Sequence, residues 1–472
     1  MLIRISIITG LILIATSTLF LRSERRLDRI PIRYTMYKYE KYDVFRRAAG
    51  KEFEKLWNRT HPEQKIQVFY EPIGGNYAVK LNTQVVAGTL QDLFFVPEYS
   101  AFVKQDVLLN LNPYIDANDD WDQIAEIYPK LTNALKVDNR LYGLPANLTT
   151  VVLYYNRGLF RKAGVAFPND TWDWNTMLEV AKKLTVRDVQ GRVVQFGLIM
   201  PPWYNLIPWN GARIWSDDGQ RCVINSPPAL EAFQFLIDTV TKHRVCPSPE
   251  VQERGEIGGI QAFETNRAAM MLAERYRTTS LWELSDVDWA VAPLPKSHAG
   301  LRRNRAAYNV IGINTKTRHP KIAYAFLKHL VSPKQIHQLV QLGDSIPMRW
   351  HPKYNEYFLN EPRSQPGENE AYLKGMEEAY STYDLAVLHP DVPKSQVQLI
   401  GREIRDRCML GQLSAEEGLN RIQQKLQFEL NAYRQPVRTT SLIHYLVIGT
   451  LLVLTATTVG WLRHRTATPT EP

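Results

Sequence analysis

From Ile30 onward the chain alternates short apolar runs with segments whose apolar residues recur at helical spacing, and this alternation confines it to an α/β architecture. PIRYTMY has the pattern of a strand, Phe45, Ala49, Phe53 and Leu56 mark one face of a helix, and IQVFY is again a strand. Further units follow: a helical YAVKLNTQVVAG closed by Gly88, a short DLFFV, a helix around WDQIAEIYPKL, and the strand VVLYY. PALEAFQFLIDTVTKHR, AAMML, WAVAPLP and VIGIN continue the series, and after Thr315 the pattern turns wholly helical. There, one helix begins behind Pro320, a second is capped by Ser332, and Ser414 with Glu417 forms a capping box ahead of Leu419, Ile422, Leu426 and Leu430. A chain of 472 residues exceeds what one compact core accommodates, so two α/β lobes with a helical C-terminal part are expected.

Only the two ends depart from a globular composition. ISIITGLILIATSTLFL, between Arg4 and Arg22, is uncharged and reads either as a secretory signal or as an N-terminal membrane anchor, giving residues 1–22 a targeting role. TTSLIHYLVIGTLLVLTATTVGWL, between Arg438 and Arg463, has the length of a spanning helix, with Tyr445 and Trp461 at interfacial positions. A C-terminal transmembrane helix over 440–462 and a short tail over 463–472 are therefore expected, with the large middle section on one side of the membrane. Flanking charge leaves the side open, and the N-terminal segment favours export to the cell exterior or periplasm. The net charge of +9 is interleaved with Asp and Glu, which reads as a solvated surface rather than the basic stripe a nucleic acid requires. Cys222 and Cys246 are either a disulfide in an oxidising compartment or two unrelated small apolar residues.

Catalytic signatures are missing. The sequence contains no H-E-x-x-H, G-x-S-x-G, C-x-x-C or phosphate-cradling G-x-x-x-x-G-K-[ST], and its histidines are scattered singly, so neither enzymatic activity nor a metal or other cofactor is expected. What remains is a segment rich in aromatic residues, MPPWYNLIPWNG, whose three prolines argue against a regular helix or central strand. Trp203, Tyr204 and Trp209 on such a loop suit the C–H faces of sugars, while their alternative role is packing within a lobe. Trp172 and Trp174 precede an amphipathic helix and belong with a core.

LYGLPANLTTVVLYYNRGLFRKAGVAFPNDTWDWNTMLEVAKKLT resembles the signature region of the extracellular solute-binding proteins of ABC importers, the family 1 group that includes maltose- and glycerol-phosphate-binding proteins. QVVAGTLQDLFFVPEYSAFVKQDVLLNLNPYI, RAAMMLAERY, VDWAVAPLPKS and AYNVIGINTKTRHPKIAYAFLKHLVSPKQIHQLVQLGDSIP match further segments of that family in its order, covering most of the chain from Ile30 to Gln435. The resemblance implies a two-lobed periplasmic-binding-protein-like clamp, with lobe one from residues 30–147 plus 303–345 and lobe two from 151–297 plus 350–435. It implies an extracytoplasmic subunit that closes on a solute, a carbohydrate by preference, and delivers it to the permease subunits of an ABC transporter, and the C-terminal span adds a membrane anchor that departs from the family's usual attachment. A receptor or sensor ectodomain signalling through a partner would use the same clamp.

Carried over residue by residue, the resemblance puts Glu98 and Tyr99 on the loop after DLFFV, and Asn147, Thr149 and Thr150 at the first crossing between lobes. Trp203 and Tyr204 fall in the aromatic segment of lobe two, with Trp209 beside them. Arg275 and Tyr276 follow AAMML, Tyr308 and Asn309 begin the returning strand, and Tyr37 and Lys38 follow the first strand. Arg275 has two further roles open to it, pairing with an acid or holding an anionic solute. Three departures stand out: Gln91 replaces the proline common before the residue matching Asp92, Glu274 and Tyr276 stand where glycine and tryptophan are common, and no lipid-attachment cysteine follows the N-terminal segment.

Overall fold

The computed structural model describes residues 29–253, 259–349, 353–364, 367–377, 379–381, 389 and 391–434. Its principal strands are β1 (Ile30–Thr35), β2 (Ile66–Tyr70), β3 (Leu93–Val96), β4 (Gly143–Pro145), β5 (Val151–Asn156), β6 (Met270–Glu274), β7 (Trp289–Ala292), β8 (Asn304–Ala306), β9 (Val310–Ile313) and β10 (Ala379–Ser381). The helices needed below are α1 (Glu40–Thr60), α2 (Trp203–Trp209), α3 (Pro227–Thr241), α4 (Glu368–Glu377), α5 (Lys394–Met409) and α6 (Ala415–Arg434).

Two sheets organise these elements. The first has the order β2-β1-β3-β9-β4, with β1 parallel to β2 and β3, and β9 antiparallel to both of its neighbours. Ile32 and Tyr34 of β1 are buried against α1, which joins β1 to β2 as the crossover a parallel pair needs. Gly50 of α1 permits a close approach to the sheet, because a Cβ there would lie 3.0 Å from Val68 Cγ1 and 3.2 Å from the Tyr34 ring. The buried face of α1 runs through Tyr42, Arg46, Ala49 and Phe53, so Leu56, expected on that face, is exposed instead.

The second sheet, β6-β5-β7, is antiparallel. Strand β5 is buried along its whole length and alternates between two apolar layers: Val152 and Tyr154 join one, Val151, Leu153 and Tyr155 the other. Such double burial explains why VVLYY is a continuous apolar run. Helices α2, α3, α5 and α6 fill the second layer together with Trp172 and Trp174. The pair β8 and β10 forms a separate parallel ribbon, so one short strand interrupts the helical tail expected after Thr315.

Local signals were obeyed closely. The helix Tyr77–Ala87 ends at Gly88, whose φ of 68° places it in the left-handed region. Ser332 accepts from the Gln335 amide, and Ser414 and Glu417 exchange bonds as a capping box ahead of α6. WDQIAEIYPKL, by contrast, divides into helices Trp121–Ala125 and Pro129–Asn133, since Pro129 lacks the amide hydrogen to continue one helix and begins the next.

Among the described residues no helix is long and apolar enough to cross a membrane, and the segments 1–22 and 440–462 lie outside the described residues. Cys222, Cys246 and Cys408 are buried free thiols, which answers the question of a Cys222–Cys246 bond with separate apolar packing. Burial pushes the Cys222 and Cys246 thiols up to about 12 and Cys408 to about 11. A thiol-reactive dye is therefore expected to label none of them in the folded chain and all three after denaturation without reductant. Recovery of a single thiol would reveal a disulfide.

Candidate functional site

Three chain segments, the crossings, are hydrogen-bonded side by side. The first, residues 146–150, leaves β4 and enters β5; the second, 307–309, leaves β8 and enters β9; the third runs through 344–346. Thr149 and Ala307 exchange both backbone bonds at 2.8 Å, Ala146 N donates to Asn309 O at 2.8 Å, and Ile346 N donates to Leu148 O at 2.8 Å. Asn147 ties all three together: its Oδ1 accepts from Asn309 N at 2.9 Å and its Nδ2 donates to Asp344 Oδ2 at 3.0 Å. Asp344 also accepts from Tyr42 Oη at 2.7 Å, and burial raises its carboxyl above the usual range.

Beside the crossings lies a divided cleft. One cavity of about 350 Å³ has Tyr37, Tyr39, Tyr42 and Tyr276 in its walls, with Asn147, Thr149 and Asp344 at its base. The neighbouring cavity, about 340 Å³, is lined by Glu98, Tyr99 and Gln398 among others. The two share Phe95, Tyr308, Asn309 and Lys394. The first sheet contributes the carboxyl ends of β1, β3 and β4, the edge of an open α/β sheet at which ligands are ordinarily held. The second contributes Glu274 at the end of β6 and Tyr276 just beyond it, and helix α5 adds its first residue, Lys394.

Charge in the cleft is mostly neutralised. Arg305 forms an ion pair with Glu274, and its guanidinium lies 5.9 Å from the centre of the Tyr204 ring. Glu98 reaches across the cleft to accept from the backbone amide of Lys394 at 3.0 Å, and burial raises its carboxyl despite that bond. Burial lowers the Lys394 ammonium. Burial would raise the Tyr204 phenol, yet the charges of Arg305 and Lys394, with hydrogen bonds from Gln398 and Arg305, hold it below its ordinary value.

Of the residues singled out in the sequence, Tyr37, Glu98, Tyr99, Asn147, Thr149, Tyr276, Tyr308 and Asn309 come together in the cleft walls. The others do not line either cavity. Lys38 is exposed beside Gly74. Thr150 is fully buried and donates to Tyr372 O at 2.8 Å. MPPWYNLIPWNG contains a helix after all, α2, with Pro202 before its first residue, where no amide donor is needed, and Pro208 in its last turn. Trp203 and Trp209 thereby enter the second apolar layer, and Tyr204 accepts from Gln398 Nε2 at 3.0 Å. Arg275 is also interior, because its guanidinium packs on Phe358 and Tyr372 at 4.6 and 5.0 Å and donates to Asn369 Oδ1 and Ser345 O.

Tyr39, Tyr42, Phe95, Arg305, Asp344 and Lys394 line the cleft without having been anticipated. The tyrosine-rich run YTMYKYEKY after the first strand was the available signal for the first two. Nothing local distinguishes Lys394 or Arg305 from other surface cations.

Comparison with known proteins agrees with this architecture. The family model described as bacterial extracellular solute-binding protein matches residues 40–336, more than half of the chain. An arabinooligosaccharide-binding protein from Bacillus subtilis is 25% identical over 335 residues, covering 66% of this chain and 74% of the relative. Among solved structures, an ABC substrate-binding protein from Listeria monocytogenes in complex with cycloalternan superposes with a TM-score of 0.74 at 21% identity, over 85% of this chain and 99% of that one. A solute-binding protein from Thermotoga lettingae bound to α-D-tagatose gives a TM-score of 0.69 at 18% identity, over 85% and 100%. These relatives and structures are solute-binding proteins rather than enzymes, and the two-lobed periplasmic-binding-protein-like fold is common to them and to this chain. The chain belongs to the bacterial extracellular solute-binding protein family.

Proposed function

We propose that the chain is the solute-binding subunit of an ABC importer and that its cleft holds a carbohydrate. The observation that carries this reading is the wall of tyrosines beside the three crossings, with amide, hydroxyl and carboxylate groups at its base. Aromatic faces cover the C–H faces of sugar rings, while polar groups take the hydroxyls. The names of the relatives, which bind an arabinooligosaccharide, cycloalternan or tagatose, support the same class of ligand.

Lobe one takes residues 30–147 plus 303–345 and lobe two 151–297 plus 350–435, with the crossings as the hinge. A ligand touching Tyr37 and Asn309 on one side and Tyr276 on the other gains its full contacts only when the lobes are closed, so binding shifts the population toward closure. The closed form is what the permease recognises. Segment 1–22, as signal or anchor, directs the lobes out of the cytoplasm, and segment 440–462 holds them near that permease at high effective concentration.

Thermal unfolding of the full chain in detergent micelles, in the presence of arabinooligosaccharides, maltose or polyols, tests the reading. A bound saccharide at about a hundred times its Kd adds roughly 2.7 kcal/mol of stability. Tyr276→Ala is expected to weaken the best ligand by about tenfold, as the loss of about 1.4 kcal/mol of ring contact implies. If no saccharide moves the transition, the carbohydrate reading is wrong.

A further inference from the structure

We propose that the preferred saccharide carries an anionic group, a carboxylate or a phosphate, and that Lys394 is the residue that selects it. This rests on the reading of the cleft as a saccharide site. Lys394 lines both cavities, at the wall they share. Its backbone amide is held by Glu98, but its ammonium makes no hydrogen bond or ion pair with any described residue.

The acids that face the same space are each already engaged. Glu274 is paired with Arg305, Asp344 with Tyr42 and Asn147, and Asp391 with Lys104 and Arg434, while Glu98 rests on the Lys394 amide. Glu98 and Tyr204 act on the Lys394 ammonium only through space, without a hydrogen bond or ion pair among the described residues, so the hydration it loses in a part-buried cavity is returned in part, and a ligand anion supplies the direct partner. Arg305 and Lys394 both act on the neighbouring Tyr204, whose phenol they and hydrogen bonds from Gln398 and Arg305 hold below its ordinary value against the opposing effect of burial. The end of α5 is not itself the anion site, because Glu98 occupies its first amide. The saccharide's neutral face would lie toward Tyr37, Tyr39 and Tyr276, and its anionic substituent toward Lys394.

The test compares matched pairs of ligands on the full chain in micelles by calorimetry: digalacturonate against its methyl ester, and glucose 6-phosphate against glucose. In at least one pair the anion is expected to bind tenfold or more tighter, since a hydrogen bond to a charged group contributes about that factor or more. The advantage should shrink as salt rises, and the pair that shows it tells carboxylate from phosphate. Lys394→Gln, which keeps the backbone bond to Glu98, should reduce the ratio of anionic to neutral affinity by about tenfold to a hundredfold. Lys394→Arg should restore most of it. Neutral ligands that bind as well as their anionic partners would overturn the charge inference and leave the carbohydrate reading standing. An unchanged ratio in Lys394→Gln would remove Lys394 as the selecting residue. If no saccharide of either kind binds, both readings fall.

Discussion

Trp203→Ala is expected to lower the stability of the folded chain by about 3–5 kcal/mol, the cost of emptying a large aromatic site in a packed core. Trp203 is 2% exposed and stands edge-on to Phe233 and Tyr204, with ring centres 6.4 and 6.0 Å apart. Its ring fills the space over Gly401 of α5, where an added Cβ would lie 2.0 Å from the ring carbons. No small movement refills a site shaped by three helices. The indole N–H has no hydrogen-bond partner among the described residues, so Trp203→Phe leaves no acceptor orphaned there and should cost much less than the alanine change. Urea unfolding of the purified chain measures both. A Trp203→Ala protein that keeps its unfolding midpoint and loses only saccharide affinity would show instead that the ring reaches the ligand.

Arg275→Ala should have an effect of similar size. Arg275 is 1% exposed, and its guanidinium donates at 2.8 Å to Asn369 Oδ1 and at 3.1 Å to Ser345 O and is flanked by the rings of Phe358 and Tyr372. Through these bonds it fastens α4 to the third crossing. Removing it forfeits two charge-assisted bonds and opens a cavity, an expected loss of about 3–5 kcal/mol. Arg275→Lys cannot satisfy both acceptors with a planar fork, so it should recover only part of the loss. Thermal melting with and without saccharide separates structural from ligand-contact roles. The interior assignment predicts a large fall in the unliganded protein. A protein that melts normally but no longer responds to ligand would return Arg275 to the cleft.

Much of the fold was legible because it is written in short-range patterns. GLPANLTTVVLYYNRGLFRK follows the expected course: GLP forms β4, the polar residues cross, VVLYYN forms β5, and Asn156 caps the following helix by accepting from the Leu159 amide at 3.0 Å. Cap residues and the alternation of a strand act on neighbours within a few positions, so they can be read without knowing the rest of the structure. Strand ends could be placed from the sequence, which is why Tyr37, Glu98 and Asn309 line the cavities as expected of their positions. Trp203, Trp209, Thr150 and Arg275 lie in the interior instead, held by partners distant in sequence that local patterns do not show.

The amino-acid sequence by itself determined the α/β alternation, the place of the first crossing and the family to which the chain belongs, since these rest on local periodicity and on ordered segments. Which aromatic and charged side chains face the cleft was decided only by the tertiary structure. A tryptophan on α2 is interior because Gly401 vacates the volume its ring needs, and the Lys394 ammonium has no hydrogen bond or ion pair among the described residues because Glu98 is turned to its backbone amide while Glu274, Asp344 and Asp391 are held by other groups. Burial and pairing depend on what every distant neighbour leaves free, and no local stretch of sequence carries that information.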